Sequence, residues 1–321
     1  MSVCCGVSGS GKSSLIRGFL ADAVRKAINE NSKKLVLEHG TIHNGHIFSK
    51  LIEVTQSPIG KTPRSTPATY LGVWNQIRTM ISSLPEAKAR GFSPSHFSFN
   101  VKGGRCELCK GAGRIKVEMN FLPNSYIICS ECEGKRYRND ILNLTWNSKN
   151  IFEILELTFE EAAEFFKFDH MLHETFSLMV ETGLGYIKLG QISPTLSGGE
   201  SQRLKLAAEL ANGIDKQKYK RLKKSKPNLY ILEEPTIGLH TTDCKKLISL
   251  LHKLVDGGNS VIVIEHDIDI IAEADFLFEL GPKGGKDGGK VICKGTVKKI
   301  TSHSKSQTAP FLKKSFLTNN L

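Results

Sequence analysis

Residues 6–13 read Gly6-Val7-Ser8-Gly9-Ser10-Gly11-Lys12-Ser13. This octapeptide matches the pattern GxxxxGK[ST] at every fixed position, and it lies between a short apolar stretch and a segment with helical spacing of apolar residues. Glycines in such a loop let backbone N–H groups turn inward around a triphosphate, and the next helix N-terminus adds a favourable dipole. The pattern predicts a nucleoside triphosphate site; the alternative is a glycine-rich turn that only reverses the chain.

The side chains of this loop predict how the ligand is held. Lys12 is expected to neutralise charge on the β- and γ-phosphates, and the Ser13 hydroxyl is expected to ligate Mg²⁺. The predicted nucleotide contacts of the loop are Gly6, Ser8, Gly9, Gly11, Lys12, Ser13 and Ser14. A helix is predicted over residues 13–27, with an apolar face formed by Leu15, Ile16, Phe19, Leu20, Ala23 and Ala27.

A second glycine motif lies far downstream, where residues 196–203 read Leu196-Ser197-Gly198-Gly199-Glu200-Ser201-Gln202-Arg203. This is the LSGG type of signature found in ABC ATPases. Ser197 and Glu200 have capping-box spacing, so the two glycines and the helix N-terminus can face a γ-phosphate. Ser197, Gly198 and Gly199 are therefore predicted nucleotide contacts, and the alternative is an ordinary capped helix.

Two acidic residues follow the apolar run 229–232, as at the end of a Walker B strand. Glu233 is predicted to hold Mg²⁺, and Glu234 is predicted to polarise the attacking water. The alternative for this pair is two exposed acids at a strand end. Further on, Gly238-Leu239-His240 resembles a D-loop. His266 lies in a segment that resembles the switch histidine and is a predicted catalytic residue, although a lone histidine is more often structural.

Four cysteines form two CxxC pairs within residues 106–132. The pairs are Cys106 with Cys109 and Cys129 with Cys132. Four thiolates at this spacing suit one tetrahedral Zn²⁺ ion, and such a ligand set leaves no position for water. We therefore predict a structural zinc site, and the alternative is a set of reduced structural cysteines.

The motifs occur in the order of an ABC-type P-loop ATPase. We therefore predict an α/β core with a parallel sheet and flanking helices, split by an inserted helical and zinc-binding domain. The apolar runs 229–232 and 261–264 are typical of strands covered on both faces. The expected parts are core segment 1–56, insertion 57–190, core segment 191–300 and a loose basic tail 301–321. Inside the insertion, Thr158 and Glu161 have capping-box spacing.

Composition and charge narrow the possible partners. The 321 residues are 40% apolar and 24% charged, with a formal net charge of +12, which favours polyanions through counterion release. Eight cysteines without a secretion signal indicate a reducing, cytoplasmic compartment. The sequence contains no run of 18 apolar residues, so no membrane span is predicted. Basic residues near the cysteines are interleaved with aromatics, so we predict DNA contacts, with a solvated face as the alternative. These residues are Lys102, Arg105, Lys110, Arg114, Lys116 and Arg136.

The chain resembles the C-terminal ATPase half of the UvrA family, the damage-recognition subunit of bacterial nucleotide excision repair. Besides the motifs above, the resemblance rests on Gln56-Ser57-Pro58-Ile59-Gly60, Thr62-Pro63-Arg64-Ser65, Phe97-Ser98-Phe99-Asn100-Val101, Gly103-Gly104-Arg105-Cys106, Lys116-Val117-Glu118-Met119, Phe121-Leu122-Pro123 and Gly134-Lys135-Arg136-Tyr137. It extends to about residue 297. It implies ATP-controlled binding to damaged duplex DNA and handover to the partner UvrB. It also implies that Gln56 is the Q-loop residue that senses Mg²⁺ and the γ-phosphate.

The chain departs from that family in ways that affect function. It has one P-loop and one signature, whereas the family's ATPase site pairs the loop of one half with the signature of another, so a second ATPase half is an expected partner. UvrB is a possible partner, although the segment that docks it lies in the half that is not present. The metal ligand at Glu233 is ordinarily Asp, and a longer arm affects the positioning of Mg²⁺, which needs near-ideal geometry.

Three functions are compatible with these residues. The first is a DNA-repair ATPase component that works with another half and has no nuclease activity of its own. The second is a UvrA-like ATPase of drug self-resistance, and the third is a non-hydrolysing zinc- and DNA-binding fragment. A transporter ATPase is disfavoured, because transporters of this class lack paired CxxC modules between the P-loop and the signature.

Overall fold

A computed structural model describes residues 1–117, 125–219 and 226–318 of the chain. The chain divides into two compact units. One unit consists of Met1–Gln56 with Glu209–Leu321, and the other consists of Ser57–Ala208. Residues 118–123, which include part of the family resemblance, lie outside the described residues. Among the helices of the described ranges, none is long and apolar enough to cross a membrane.

The strands and helices are numbered in chain order over the described residues. The strands are β1 Ser2–Gly6, β2 Lys34–Leu37, β3 Gly40–His43, β4 Lys50–Val54, β5 Arg114–Val117, β6 Ser125–Ile128, β7 Thr145–Trp146, β8 Lys149–Asn150, β9 Asn228–Glu233, β10 Ser260–Ile264, β11 Phe276–Gly281 and β12 Lys290–Gly295. The α-helices are α1 Asp22–Asn29, α2 Pro67–Tyr70, α3 Val73–Ser82, α4 Pro85–Ala89, α5 Asn139–Leu142, α6 Ile151–Glu156, α7 Phe159–Phe165, α8 His170–Met179, α9 Gly198–Tyr219, α10 Thr241–Asp256, α11 Ile268–Ala272, α12 Val297–Thr301 and α13 Ala309–Thr318.

The first unit contains a six-stranded sheet in the order β12-β11-β1-β10-β9-β4. Neighbouring strands are parallel except for the edge pair β11 and β12. The apolar runs 229–232 and 261–264 form β9 and β10 in the interior of this sheet, and residues 229–232 are buried. Continuous apolar strands in a parallel sheet are expected to be covered on both faces. The predicted α/β class with a parallel sheet is confirmed.

The helix after the glycine loop buries most of its predicted apolar face and differs from the prediction at Leu15. It begins as a π-helix over Ser14–Ala21 and continues as α1. Ile16 and Ala21 are buried, but Leu15 is 36% exposed, so its predicted place on the apolar face is wrong. A π-helix closes its hydrogen bonds over five residues rather than four, so a face assigned with the α-helical period drifts around the axis.

The C-terminal segment is folded, contrary to the expectation of a loose tail. Residues 309–318 form α13, and Leu312 is fully buried. The segment before α13 is fixed by the buried carboxylate of Glu279, which accepts hydrogen bonds from the backbone N–H groups of Gln307 at 2.9 Å and Thr308 at 3.1 Å. Glu279 lies on β11, 27 or more residues away in sequence, so local periodicity could not reveal this anchor.

The second unit contains short helices and two small hairpins, β5–β6 and β7–β8. The capping box predicted from Thr158 and Glu161 is present: the Glu161 N–H donates to the Thr158 hydroxyl at 3.2 Å, and the Thr158 N–H donates to the Glu161 carboxylate at 2.8 Å. The unit extends to Ala208, within α9. The signature residues therefore lie in this unit, whereas the sequence analysis grouped them with the core segment that begins at residue 191.

Candidate functional site

The carboxyl ends of four parallel strands define the edge of the sheet where the site lies. These ends are Gly6 of β1, Val54 of β4, Glu233 of β9 and Ile264 of β10. Ligands of open α/β sheets bind outside the carboxyl ends of the strands. The glycine loop, Gln56, the acidic pair and His266 each follow one of these ends, so the fold brings together the predicted residues of the first unit.

The glycine loop has the backbone geometry that a phosphate cradle requires. Gly6, Gly9 and Gly11 have positive φ angles of 130°, 74° and 91°. A Cβ atom at Gly6 would lie 2.0 Å from the Leu280 carbonyl oxygen, so a larger residue cannot fit there. Lys12 is buried, and its ammonium group donates to the carbonyl oxygens of Gly6 at 2.9 Å and Val7 at 3.0 Å. This lysine therefore spans the loop, as a group that neutralises a bound phosphate must.

A second glycine-rich loop, residues 281–289, packs against the first, and the sequence analysis missed it. The N–H of Gly285 donates to the Gly9 carbonyl at 3.1 Å, and the N–H of Gly289 donates to the Ser10 carbonyl at 3.0 Å. A Cβ atom at Gly284 would lie 2.7 Å from a carbonyl oxygen of the phosphate loop. The two loops are therefore joined by backbone hydrogen bonds and lie in close contact. The cluster of five glycines in residues 281–289 is the signal that could have indicated a close backbone approach.

Two oxygen ligands predicted for Mg²⁺ lie side by side. The Ser13 hydroxyl donates to Oε1 of Glu233, and Oε2 of Glu233 accepts from Nη1 of Arg17 at 2.7 Å. Partial burial pushes the pKa of Glu233 upward, but the hydrogen bonds from Ser13 and Arg17 act in the opposite direction and hold this pKa below its usual value. A hydroxyl and an ionised carboxylate are hard oxygen donors, so this pair fits a Mg²⁺ ion.

The predicted catalytic acid occupies an unusual backbone conformation. Glu234 has a φ angle of 44°, in the left-handed region that few residues other than glycine adopt. Its N–H donates to the Ile264 carbonyl at 2.8 Å, and its carbonyl accepts from Nε2 of Gln56 at 3.2 Å. Oε1 of Glu234 lies 3.8 Å from Nδ1 of His266. Gln56, Glu234 and His266 are therefore brought together as predicted residues of one cluster.

A buried carboxylate organises the segments on either side of this cluster. Glu265 is completely buried and accepts hydrogen bonds from four donors. The Thr236 N–H at 3.0 Å and the Thr236 hydroxyl donate to Oε1, while the N–H groups of His266 at 2.8 Å and Asp267 at 3.0 Å donate to Oε2. Sequence reasoning gave this residue no role, because its partner Thr236 lies 29 residues away in sequence.

A cleft of about 260 Å³ lies beside these groups in the first unit. Its lining residues are Arg17, Glu53, Val54, Thr55, Gln56, Ile231, Glu233, Glu234 and Ile237. The lining includes three predicted site residues and two charged residues that were not predicted, Arg17 and Glu53. Their functional signal was weak in the sequence, since each is an ordinary charge within a helix or strand.

The signature motif in the second unit has the predicted capping box. The Ser197 N–H donates to Oε2 of Glu200 at 2.7 Å, and the Glu200 N–H donates to the Ser197 hydroxyl at 3.2 Å. Glu200 also accepts from the hydroxyl of Tyr186. Ser197 is exposed, and Gly198 and Gly199 open the 22-residue helix α9. Backbone N–H groups at a helix N-terminus favour an anion.

The four predicted metal ligands form one buried cluster in the second unit. All four sulfur atoms lie within 4.8 Å of one another, with 3.8 Å between Cys106 and Cys129 and 3.7 Å between Cys109 and Cys132. A tetrahedral ion with Zn–S bonds of about 2.3 Å places its sulfurs about 3.8 Å apart. The N–H of Gly113 donates to the Cys109 sulfur at 3.2 Å, as a thiolate ligand requires. The cluster therefore fits zinc in ligand chemistry and spacing.

The basic residues around this cluster divide into two groups. Four predicted DNA contacts are exposed: Lys102, Lys110, Arg114 and Lys116. Arg105 and Arg136 are buried, so their predicted role in contacting DNA is wrong. Arg105 donates to Glu107 and to the Asn100 carbonyl. Arg136 donates to the Gly190 carbonyl at 2.9 Å and lies over the ring of Phe99. Both arginines therefore make their contacts within the second unit.

The remaining cysteines, Cys4, Cys5, Cys244 and Cys293, are buried thiols. Burial raises the pKa of Cys4 and of Cys5 to about 12, so both are protonated near neutral pH. Burial raises the pKa of Cys293 to about 11. Thiols of this kind are poor nucleophiles, because the thiolate is the reactive form.

Comparison with known proteins relates this chain to UvrA. No family model matches the chain. It is 47% identical over 308 residues to UvrABC system protein A of Haemophilus influenzae and 48% identical over 309 residues to that of Aquifex aeolicus, covering 96% of this chain and 32% of each relative. The crystal structure of UvrA2 from Deinococcus radiodurans matches with a TM-score of 0.86 and 40% identity, over 98% of this chain and 36% of that one. The chain therefore has the ABC-type ATPase fold of the UvrA family and is homologous, over almost all its length, to about one third of a UvrA protein.

Proposed function

We propose that this chain is an ATP-dependent DNA-damage recognition component of nucleotide excision repair that works with a second ATPase half. The observation that supports this most strongly is the assembly of the phosphate loop, the Ser13–Glu233 pair and the Gln56–Glu234–His266 cluster at one edge of the sheet. These residues lie at or after the ends of four different strands, β1, β4, β9 and β10, so their convergence depends on the fold rather than on a local motif. The homology to UvrABC system protein A supports this class of function.

The nucleotide ligand is ATP with Mg²⁺ in this proposal. Lys12 binds phosphate oxygens, while Ser13 and Glu233 hold the metal, which when bound neutralises charge on the phosphates. Glu234 accepts a proton from the attacking water, and Gln56 and His266 orient the groups around it. Ser197, Gly198 and Gly199 offer a helix N-terminus to the triphosphate of the second half, which is a copy of this chain or a separate one. Hydrolysis therefore requires pairing, and no nuclease activity is expected.

The cysteine cluster binds one structural Zn²⁺ in this proposal. Four thiolates complete a tetrahedral site, so no position is open for catalysis. Binding energy of roughly 10–16 kcal/mol would then stabilise a module with few apolar residues of its own. The partly buried Ile115 is the apolar side chain that packs against the four cysteines among the described residues.

Damaged duplex DNA is the proposed polyanionic partner. The exposed cations Lys102, Lys110, Arg114 and Lys116 provide the phosphate contacts, and the net charge of +12 supports association with a polyanion. DNA repair and eight unpaired cysteines are compatible with a reducing cytoplasm. UvrB is a further proposed partner of the assembly that this chain forms with the second half.

A nucleotide-binding assay tests the central claim. The full chain is titrated with a fluorescent ATP analogue, alone and with a complementary ATPase half. Lys12→Ala is expected to weaken binding at least about tenfold, because it removes a charge-assisted contact worth roughly 1.5–3 kcal/mol. Lys26→Ala, which changes an exposed lysine on α1, is the matched control. The proposal fails if binding does not depend on Lys12 in either setting.

A DNA-binding assay tests the partner. Filter binding compares duplexes with and without a bulky lesion at several salt concentrations. Arg114→Ala is expected to reduce the salt slope by about 0.9, as for one lost phosphate contact. Arg90→Ala, in the same unit but paired with Glu86, is the control. Equal affinity for intact and damaged duplexes at every salt concentration contradicts a role in damage recognition.

A further inference from the structure

We propose that Arg17 is a positioning residue that aims the carboxylate of Glu233 at the metal beside Ser13. This inference rests on the proposed function, since it concerns the Mg²⁺ of the same nucleotide site. It explains how a glutamate can hold a metal at a strand end where the family resemblance leads one to expect aspartate. Arg17 would act through Glu233 and would not touch the nucleotide.

The sheet register places two carboxylates under Arg17. Strands β4 and β9 are parallel, and Glu53 is paired with Ile231. Glu233 lies two residues beyond Ile231 and therefore points to the same face of the sheet as Ile231 and Glu53. Arg17 donates from Nε to Oε2 of Glu53 at 3.0 Å and from Nη1 to Oε2 of Glu233 at 2.7 Å. The guanidinium group is thus fixed from two neighbouring strands.

This arrangement assigns different partners to the two oxygens of Glu233. Arg17 occupies Oε2, whereas Oε1 contacts the Ser13 hydroxyl. Glutamate has one more rotatable bond than aspartate, and Mg²⁺ demands near-ideal geometry, so a free glutamate arm would present its oxygen poorly. Hydrogen bonds to a ligating carboxylate orient it and typically change metal affinity by 10–100-fold when they are removed. Arg17 meets the description of such a partner.

The positive charge of Arg17 also repels a nearby cation. The surrounding charges decide whether this repulsion outweighs the benefit of orienting Glu233. Arg25 donates to Glu53 and to Asp22, so the cluster contains two arginines and three carboxylates. One net negative charge remains on the cluster. The cation therefore still meets an attractive field, and we expect the loss of orientation to outweigh the relief of repulsion when Arg17 is removed.

The test measures metal affinity separately from nucleotide affinity. Mn²⁺ is titrated by electron paramagnetic resonance into the full chain saturated with a non-hydrolysable ATP analogue, and analogue binding in EDTA is measured in parallel. Arg17→Gln is expected to weaken Mn²⁺ binding by about 10–100-fold and to change metal-free analogue binding less than about threefold. Arg17→Lys, which cannot span two carboxylates, is expected to give an intermediate loss.

Arg25→Gln is the matched control. Arg25 is 46% exposed against 45% for Arg17, and it also pairs with Glu53, but among the described residues its ion pairs are with Asp22 and Glu53 and not with Glu233. Mn²⁺ affinity is expected to stay within about threefold of the wild type. An Arg25→Gln loss as large as that of Arg17→Gln would overturn the proposal, because a general charge effect would then explain both.

A double-mutant comparison gives the sharpest result. Glu233→Asp withdraws the carboxylate by about one C–C bond, roughly 1.5 Å, which takes it beyond hydrogen-bonding distance of Arg17. Arg17→Gln is then expected to change Mn²⁺ affinity less than about threefold in the Glu233→Asp background. Equal losses in both backgrounds, or unchanged or tighter Mn²⁺ binding in Arg17→Gln alone, would overturn the positioning role. Failure of the proposed function appears differently, as wild-type chain that binds no analogue in EDTA or in Mn²⁺.

Discussion

Two buried glutamates of the first unit should respond differently to the same isosteric change, Glu→Gln. Glu265 and Glu279 are both completely buried, and each accepts four hydrogen bonds. Both oxygens of Glu265 accept backbone N–H groups. In Glu279 one oxygen accepts two backbone N–H groups, while the other accepts from the Ser306 hydroxyl and the Cys293 thiol.

This difference in hydrogen-bond donors determines how much each substitution lowers the free energy of unfolding. A glutamine at 279 can direct its oxygen at the backbone and its NH₂ group at the hydroxyl, which can act as an acceptor. A glutamine at 265 must place its NH₂ group against at least one backbone N–H, so one buried donor is left unsatisfied. Leaving a buried donor unsatisfied costs about 1–3 kcal/mol. Both changes also exchange charged acceptors for neutral ones, and this common cost largely cancels in the comparison. Glu265→Gln should therefore lower the free energy of unfolding by about 1–3 kcal/mol more than Glu279→Gln.

Urea unfolding followed by circular dichroism measures the two free energies. Tryptophan fluorescence is unsuitable, because Trp74 and Trp146 both lie in the other unit. Amide hydrogen exchange locates the effect: protection should fall at Thr236, His266 or Asp267 in Glu265→Gln, and the same amides should be unchanged in Glu279→Gln. Equal losses of stability, or a larger loss for Glu279→Gln, would refute the reasoning from donor type.

Three further outcomes are expected from the structure. The purified chain should contain about one Zn²⁺, and Cys129→Ala should lower this content and expose the module to protease, as metal analysis and limited proteolysis can check. Gly284→Ala should destabilise the first unit by about 1–3 kcal/mol in thermal unfolding, because its Cβ would lie 2.7 Å from a carbonyl oxygen, whereas Gly18→Ala meets no atom within 4 Å and should be neutral or stabilising. Thr158→Ala should lower the free energy of unfolding by about 1 kcal/mol through loss of a helix cap, measured by urea titration.

Local patterns in the sequence were sufficient for part of this structure. The glycine loop, the capping boxes at Thr158 and Ser197 and the apolar runs of β9 and β10 depend on residues within a few positions of one another. Hydrogen bonds between neighbours, and continuous apolar runs of strands that are covered on both faces, determine these features. The positions of the predicted site residues at strand ends then follow from the parallel sheet.

Features that depend on residues distant in sequence could not be predicted from local sequence patterns. Arg136 resembles a surface cation until its acceptor, the Gly190 carbonyl, and the ring of Phe99 are seen in place. Leu15 is exposed in the π-helical turns of Ser14–Ala21, and no unusual residue signals these turns. Folding of the C-terminal segment depends on a carboxylate in β11. For Arg136 and for the C-terminal segment, the deciding partner is distant in sequence, and a pattern of spacing does not encode it.

The conformation of Glu234 gives a physical reason to prefer a chemical role for this residue over a turn-forming one. A left-handed φ costs an L-residue about 1–2 kcal/mol, a strain that glycine avoids. Hydrogen bonds to the Ile264 carbonyl and from Gln56 hold this backbone in place from the ends of β10 and β4. A glycine would fulfil the needs of the turn at lower cost, but it would remove the carboxylate that lies 3.8 Å from His266. The side chain of Glu234 faces the site. Backbone strain at such a residue is expected where the position of the side chain matters for the reaction.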